Sequence, residues 1–208
     1  MHIGWDINRP SPRYQVILID VKNIAFSYGK KSIFNNISLS MDKGEVLCLL
    51  GPNGCGKTTL LDCILGILNP EKGRILLNGK DTAGFKSGHL ARSISYVPQG
   101  HVGTFPYTVL DMVLMGRAVH ISMFSSPTKD DIIIAEEALH QVGLSHLKDH
   151  PYTQLSGGEG QLTLIARALA QKAPVIIMDE PTSHLDFRHE LIVLETNNAV
   201  RDICGFLP

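Results

Sequence analysis

GPNGCGKTT, Gly51–Thr59, fits the pattern G-x-x-x-x-G-K-[ST] and stands between an apolar run, VLCLL (Val46–Leu50), and a helical pattern beginning at Lys57. Glycines let the backbone curl until successive N–H groups face one point, and the following helix adds its positive dipole end there. Such a loop cradles phosphate groups. Gly51, Pro52, Asn53, Gly54, Cys55 and Gly56 form the cradle, Lys57 is placed for the β and γ phosphates, and the Thr58 hydroxyl for Mg2+. Thr59 adds a further phosphate contact. VLCLL, uninterrupted by polar residues, reads as a strand buried on both faces of a parallel sheet, and strand, loop, helix in this order predicts an α/β fold.

Working outward, YQVILIDVKNIAF and SIFNNISLSM flank a turn at Tyr28–Lys31 and read as an antiparallel pair. The helix starting at Lys57 is expected to run to Ile67, before Asn69-Pro70, and the strands GRILLNG (73–79) and ISYVP (94–98) follow. From about Gly100 to Lys172 the texture is helical: TVLDMVLMGR, then DDIIIAEEALHQVGL, where Ile133, Ile134, Ala138, Leu139 and Val142 recur at helical spacing, then SGGEGQLTLIARALAQK. This reads as a helical insertion between two halves of one sheet. PVIIMDE (174–180) returns to the sheet and FRHELIVLE starts another helix.

PVIIMDE ends a short apolar strand in two carboxylates. At the tip of a buried strand, Asp179 can hold a hydrated Mg2+ while Glu180 orients or deprotonates an attacking water. LSGGEGQ (155–161) holds a capping box, Ser156 with Glu159 three residues on, opening the long helix. Gly157-Gly158 within its first turn is costly for a helix, and bare N–H groups there make a second anion site.

These three motifs in this order resemble the ATP-binding cassette ATPases over about residues 16–195. The resemblance implies a P-loop fold with a mostly parallel core sheet, an N-terminal antiparallel β subdomain and a helical subdomain. It implies ATP and Mg2+ as cofactors, with Thr58, Gln99 and Asp179 at the metal and Glu180 and Gln99 as the catalytic pair. Tyr28 matches the aromatic that stacks on adenine. Ser156, Gly157, Gly158 and Glu159 match the signature that closes over ATP on the opposite subunit, and Ser183 and Asp186 the loop crossing the dimer interface. The implied partners are transmembrane permease subunits, a second copy of the chain and, indirectly, an extracytoplasmic substrate-binding protein, at the cytoplasmic face of a membrane; no nucleic acid is expected. TVLDMVLMGR, SHLKDHPYTQLSGGE and MDEPTSHLDF are similar to the cassettes of iron-siderophore, haem and cobalamin importers. DMVLMGR by itself reads as an amphipathic core helix that could also dock a membrane subunit.

Length and composition fit one globular domain. The 208 residues are 44% hydrophobic and 19% charged with a formal net charge of −1, which argues against a generally basic nucleic-acid surface. The longest apolar runs are far shorter than the ~20 residues that span a bilayer. Cys48, Cys55, Cys63 and Cys204 have neither zinc nor disulfide spacing and read as buried core thiols, and the histidines show no metal-site pattern.

The organisation expected is a leader at 1–14, the β subdomain and phosphate-loop half at 15–99, the helical subdomain at 100–172, the second half of the core at 173–195, and a non-matching tail at 196–208. Gly160 departs from the basic or glutamine residue that relatives carry after LSGGE, and should loosen its helix. TNNAVRDICGFLP lacks the apolar strand and the histidine that the resemblance calls for. The reading expects the final core strands to be missing, and keeps a non-hydrolysing remnant of such a subunit as the alternative to an active one.

Overall fold

The computed structural model describes residues 17–99, 105–122 and 125–180. The expectations for Ser183, Asp186, Cys204, the helix from Phe187 and the tail lie outside these residues.

Two long strands, β1 (Ile17–Tyr28) and β2 (Lys31–Asp42), form the expected antiparallel hairpin, with Tyr28 facing Lys31 at the turn. Helix α1 (Lys57–Ile64) follows the glycine-rich loop and stops three residues earlier than expected. Strand β3 (Lys72–Leu77) pairs antiparallel with β1, not with a strand of the core, and β4 (Lys80–Asp81) closes a sheet of order β2-β1-β3-β4. Helix α2 (Ser87–Ser93) leads into β5 (Ile94–Val97). The helical part holds α3 (Val109–Leu114), continued by the 3-10 turns Met115–His120, then α4 (Lys129–Gln141) and α5 (Gly157–Ala170). Strand β6 (Val175–Met178), the last among the described residues, pairs parallel with β5.

The β5–β6 pair is buried because each face meets a different core. Val97, Ile176 and Met178 pack with Val113, Leu139, Leu162 and Ile165 of the three helices. Ile94, Val175 and Ile177 pack with Leu60, Leu61 and Ile64 of α1 and with Val21 and Ile24 of β1. Period-two alternation thus points successive residues of one short strand into two separate clusters, which is why VIIM reads as an unbroken apolar run.

VLCLL behaves differently from its expectation. Among the described residues no strand pairs with 45–50, and only one side of the run is covered. Leu47 and Leu49 pack on the α1 side, whereas Val46 and Leu50 are 43% and 65% exposed. An apolar run becomes a two-sided buried strand only where neighbours supply both a ladder and a second covering layer. The cysteine reading is corrected with it: Cys63 is buried, but Cys48, on the uncovered side, and Cys55, in the glycine-rich loop, are exposed.

A buried ion pair braces the helices. Arg117 Nε donates to Asp131 Oδ1 at 2.9 Å and Arg117 Nη1 to the Ala170 carbonyl at 2.8 Å, joining the segment after α3 to the start of α4 and the end of α5. The approach is close because residue 116 is glycine: a Cβ there would stand 2.2 Å from the Arg167 carbonyl oxygen. Asp131 also caps α4 through Thr128, whose Oγ1 donates to Asp131 Oδ2 at 2.7 Å. In α4 the buried face is Ala135, Ala138 and Leu139; Ile133, expected on that face, is 51% exposed.

The hydrogen bonds from Thr128, followed by the Arg117 guanidinium, hold the Asp131 carboxyl down at about 2. A depressed folded-state value means the stabilisation is complete above the ordinary carboxylate range and disappears as pH falls through the folded value. Asp131→Asn should therefore lower the thermal midpoint at neutral pH, by a margin that is constant down to about pH 4 and shrinks towards pH 2. Calorimetry of both proteins across pH 2–7 checks this, a scale set by the ordinary and depressed carboxylate values.

Candidate functional site

The site is built where α1 begins and β6 ends. Gly56 sits just before α1 with φ +99, a conformation that L side chains rarely adopt, and a Cβ there would meet Ile33 Cγ2 at 2.6 Å. This left-handed residue turns the loop into the helix, so that Leu60 N–H already donates to the Gly56 carbonyl at 2.9 Å. Lys57 Nζ folds over the same loop and donates to the carbonyls of Gly51 (2.7 Å) and Pro52 (3.2 Å). The ammonium is thereby held at the mouth of the cradle that the sequence predicts.

Thr58, next on α1, ties this loop to the strand. Its Oγ1 donates to Asp179 Oδ2 at 2.8 Å across 121 positions of sequence. Asp179 is buried, 6% exposed, and its backbone N–H continues the parallel ladder to the Val97 carbonyl at 3.0 Å. The donor set suits a hard cation. Two cis ligands of an octahedral Mg2+ at 2.0–2.1 Å stand about 3 Å apart, close to the separation of these two oxygens.

Glu180 follows with φ +46, a left-handed conformation for a residue that carries a Cβ. Such backbone costs about 1 kcal/mol or more and is kept where surrounding contacts determine it. Here Gln99 Nε2, two residues past β5, donates to Glu180 Oε2. Gln99, Asp179, Glu180, Lys57 and Thr58 are thus gathered at one end of the β5–β6 pair and the start of α1.

The negative charge of Asp179 reaches two groups that motif reading missed. Asp62 lies one helical turn after Thr58 on the same face of α1; burial first, and Asp179 second, raise its carboxyl above the usual range. Tyr96 is pushed up to about 12 by burial, then by Asp179 and Asp62. The i, i+4 spacing from Thr58 was a visible signal for Asp62. For Tyr96 it was the alternation that places it, with Ile94, on the α1 face of β5.

At the start of α5 the capping box forms as expected. Ser156 Oγ accepts from the Glu159 N–H at 3.3 Å and donates to Glu159 Oε2 at 2.6 Å, while the Ser156 N–H donates to the same carboxylate at 2.8 Å. Gly157 and Gly158 occupy the first turn. The Gln161 amide nitrogen, buried one turn further on, has no hydrogen-bond partner among the described residues. Tyr28 is 54% exposed and stands edge-on to Phe26 at 5.0 Å, leaving its ring accessible at the rim of the β sheet.

A phosphate loop, a buried aspartate at the strand tip and a capped glycine helix start, carried on an antiparallel sheet and a helical insertion, define a nucleotide-hydrolysing cassette. Residues 34–183 match the family model described as ABC transporter, and the chain belongs to that family. It is 44% identical over 185 residues to an ABC transporter ATP-binding protein of Haemophilus influenzae, covering 89% of this chain and 70% of that one. It is 40% identical to a Helicobacter pylori protein named "Probable iron chelatin transport ATP-binding protein", covering 89% and 72%. A molybdate import ATP-binding protein of H. influenzae is 42% identical over 85% of this chain and 65% of its own. Among solved structures, an inward-facing ABC transporter described as of metal-chelate type superposes with a TM-score of 0.79 at 38% identity, over 92% of this chain and 73% of that one. The protein is an ATP-binding, ATP-hydrolysing subunit of the importer-type transporters. Among the described residues no helix is long and apolar enough to cross a membrane.

Two substitutions test the site as built. A charged hydrogen-bond donor is worth ~1.5–3 kcal/mol, so, as a test of the expectation that Lys57 meets phosphate, Lys57→Ala should lower ATP affinity, read by calorimetric titration, about 10- to 150-fold. Gly160 lies inside α5, where a Cβ would meet only Tyr152 Oη at 3.7 Å. Gly160→Ala should therefore raise unfolding stability by up to about 1 kcal/mol in a urea titration.

Proposed function

We propose that this chain energises import of a metal chelate of the iron-siderophore type, as one of two copies of an ATPase bound to a membrane-embedded permease. The observation that carries the hydrolytic part is the Thr58–Asp179 hydrogen bond, which brings the phosphate loop and the strand-tip carboxylates into one site. The similarity to the iron chelatin subunit and to the metal-chelate transporter supports the cargo class.

In this reading ATP lies with its adenine against Tyr28 and its phosphates in the Gly51–Thr59 loop, with Lys57 exchanging the Gly51 and Pro52 carbonyls for phosphate oxygens. Thr58, Asp179 and Gln99 would hold Mg2+, which supplies positive charge to the phosphate oxygens. Glu180 accepts the proton of the attacking water. The first turn of α5, capped by Ser156, presents its free N–H groups and dipole to the nucleotide of the second copy. Ser183 and Asp186 belong to the same contact between copies.

The permease docks on an open groove of about 390 Å³ beside α3, lined by Leu114, Met115, Ala118, Ile121 and Pro127 with Asp111, Ser122 and Ser125. Met115 is 42% exposed there, an apolar contact available to a short permease segment. The substrate-binding protein meets the permease and has no contact with this chain.

Glu180→Gln should retain ATP binding while single-turnover hydrolysis falls about 10²- to 10⁴-fold, the usual contribution of a general base. Cells carrying only this variant should lose ferric-chelate uptake and keep uptake of molybdate and cobalamin. Full ferric-chelate uptake by those cells would overturn the proposal.

A further inference from the structure

The parallel register of β5 and β6 pairs Ile94 with Val175, Ser95 with Ile176, Tyr96 with Ile177 and Val97 with Met178. The same offset of 81 positions, continued past the ends of both strands, brings Gln99 opposite Glu180. The backbone follows it, since the Asp179 N–H donates to the Val97 carbonyl at 3.0 Å. The two side chains are therefore cross-strand neighbours by topology, and they meet: Gln99 Nε2 donates to Glu180 Oε2.

Two features make this contact more than a surface hydrogen bond. Glu180 has φ +46, so its side chain leaves the strand end in a direction that the ladder alone does not impose. A general base must also present one lone pair to a water in fixed geometry, and a carboxylate free to rotate presents it only part of the time. An amide that holds one carboxylate oxygen leaves the other available. Gln99 can do this without giving up its carbonyl oxygen, because the donor and the acceptor of the amide are separate atoms.

We propose that Gln99 is a positioning residue for Glu180: its amide N–H holds Oε2 of the carboxylate and so directs Oε1 at the attacking water. This deepens the reading of Glu180 as the base and rests on it. It differs from a role of Gln99 as a cation ligand alone, which needs only the carbonyl oxygen. The two are separable, because Gln99→Glu keeps an oxygen ligand and removes the donor, whereas Gln99→Ala removes both.

The test is single-turnover hydrolysis of MgATP by the full chain in a double-mutant cycle, alongside ATP affinity and Mn2+ affinity by electron paramagnetic resonance. Gln99→Ala and Gln99→Glu should each slow hydrolysis about 10- to 100-fold, the scale of a misplaced reacting group, with ATP affinity little changed. Added to Glu180→Gln, Gln99→Glu should cause no further loss, because it keeps the oxygen ligand and the group that the amide donor positions is already gone. Gln99→Glu hydrolysing at the wild-type rate, or losses from Gln99→Glu and Glu180→Gln that multiply, would overturn the proposal. A Gln99→Ala effect confined to Mn2+ affinity would also overturn it, in favour of the cation role alone. Glu180→Gln at the wild-type rate, whatever that rate is, would instead overturn the assignment of the base.

Discussion

The hydrogen bond from Thr58 Oγ1 to Asp179 Oδ2, 2.8 Å long and partly buried, is the contact on which the site depends. It joins the first turn of one helix to the tip of a strand 121 positions away. Each partner is fixed from its own side: Thr58 by the left-handed turn at Gly56, Asp179 by its ladder bond to Val97. A carboxylate 6% exposed requires a partner, and the threonine hydroxyl supplies one. The same two oxygens have the spacing and hardness that a small divalent cation demands. A cation held there would draw on the same pair of atoms that stabilises the fold.

Around this contact the chain arranges two cores on opposite faces of one short parallel pair. The α1 side is continuous with the antiparallel sheet, and the other side is the helical cluster. Residues at the strand tips, Gln99, Asp179 and Glu180, emerge where both cores meet. The helical side is braced separately by Arg117, which ties Asp131 to the end of α5. Gln171, just past that end, donates to the carbonyls of Ala91 (2.6 Å) and Ile94 (3.0 Å), so the helix carrying Ser156 is anchored to the strand carrying the route to Gln99.

Much of this was legible in the sequence because the chemistry restricts which residues can serve. The Gly51–Thr59 loop, the strand-tip carboxylates and the Ser156–Glu159 capping box each combine residue type with spacing; the capping box forms as read, and the loop and the carboxylates come together at one place. What escaped depends on neighbours that a linear pattern does not name. GRILLNG is a strand as expected, but nothing in it specifies antiparallel pairing with β1. VLCLL looks like a two-sided buried strand, yet its burial is decided by what covers it. Cys48 and Cys55 follow their surroundings, not their own hydrophobicity. Asp62 and Tyr96 show no motif, and they are set apart by burial first and by the charge of Asp179 second. The left-handed backbone of Glu180 is likewise set by its surroundings and not by its residue type.

The central claim is that Thr58 and Asp179 form the cation-dependent half of the nucleotide site. It is tested most directly by measuring ATP affinity with and without Mg2+ in the wild-type protein and in Asp179→Asn. Mg2+ should tighten ATP binding to the wild type, and the variant should bind metal-free ATP as well as the wild type does but gain nothing from Mg2+. Equal tightening by Mg2+ in both proteins would contradict it.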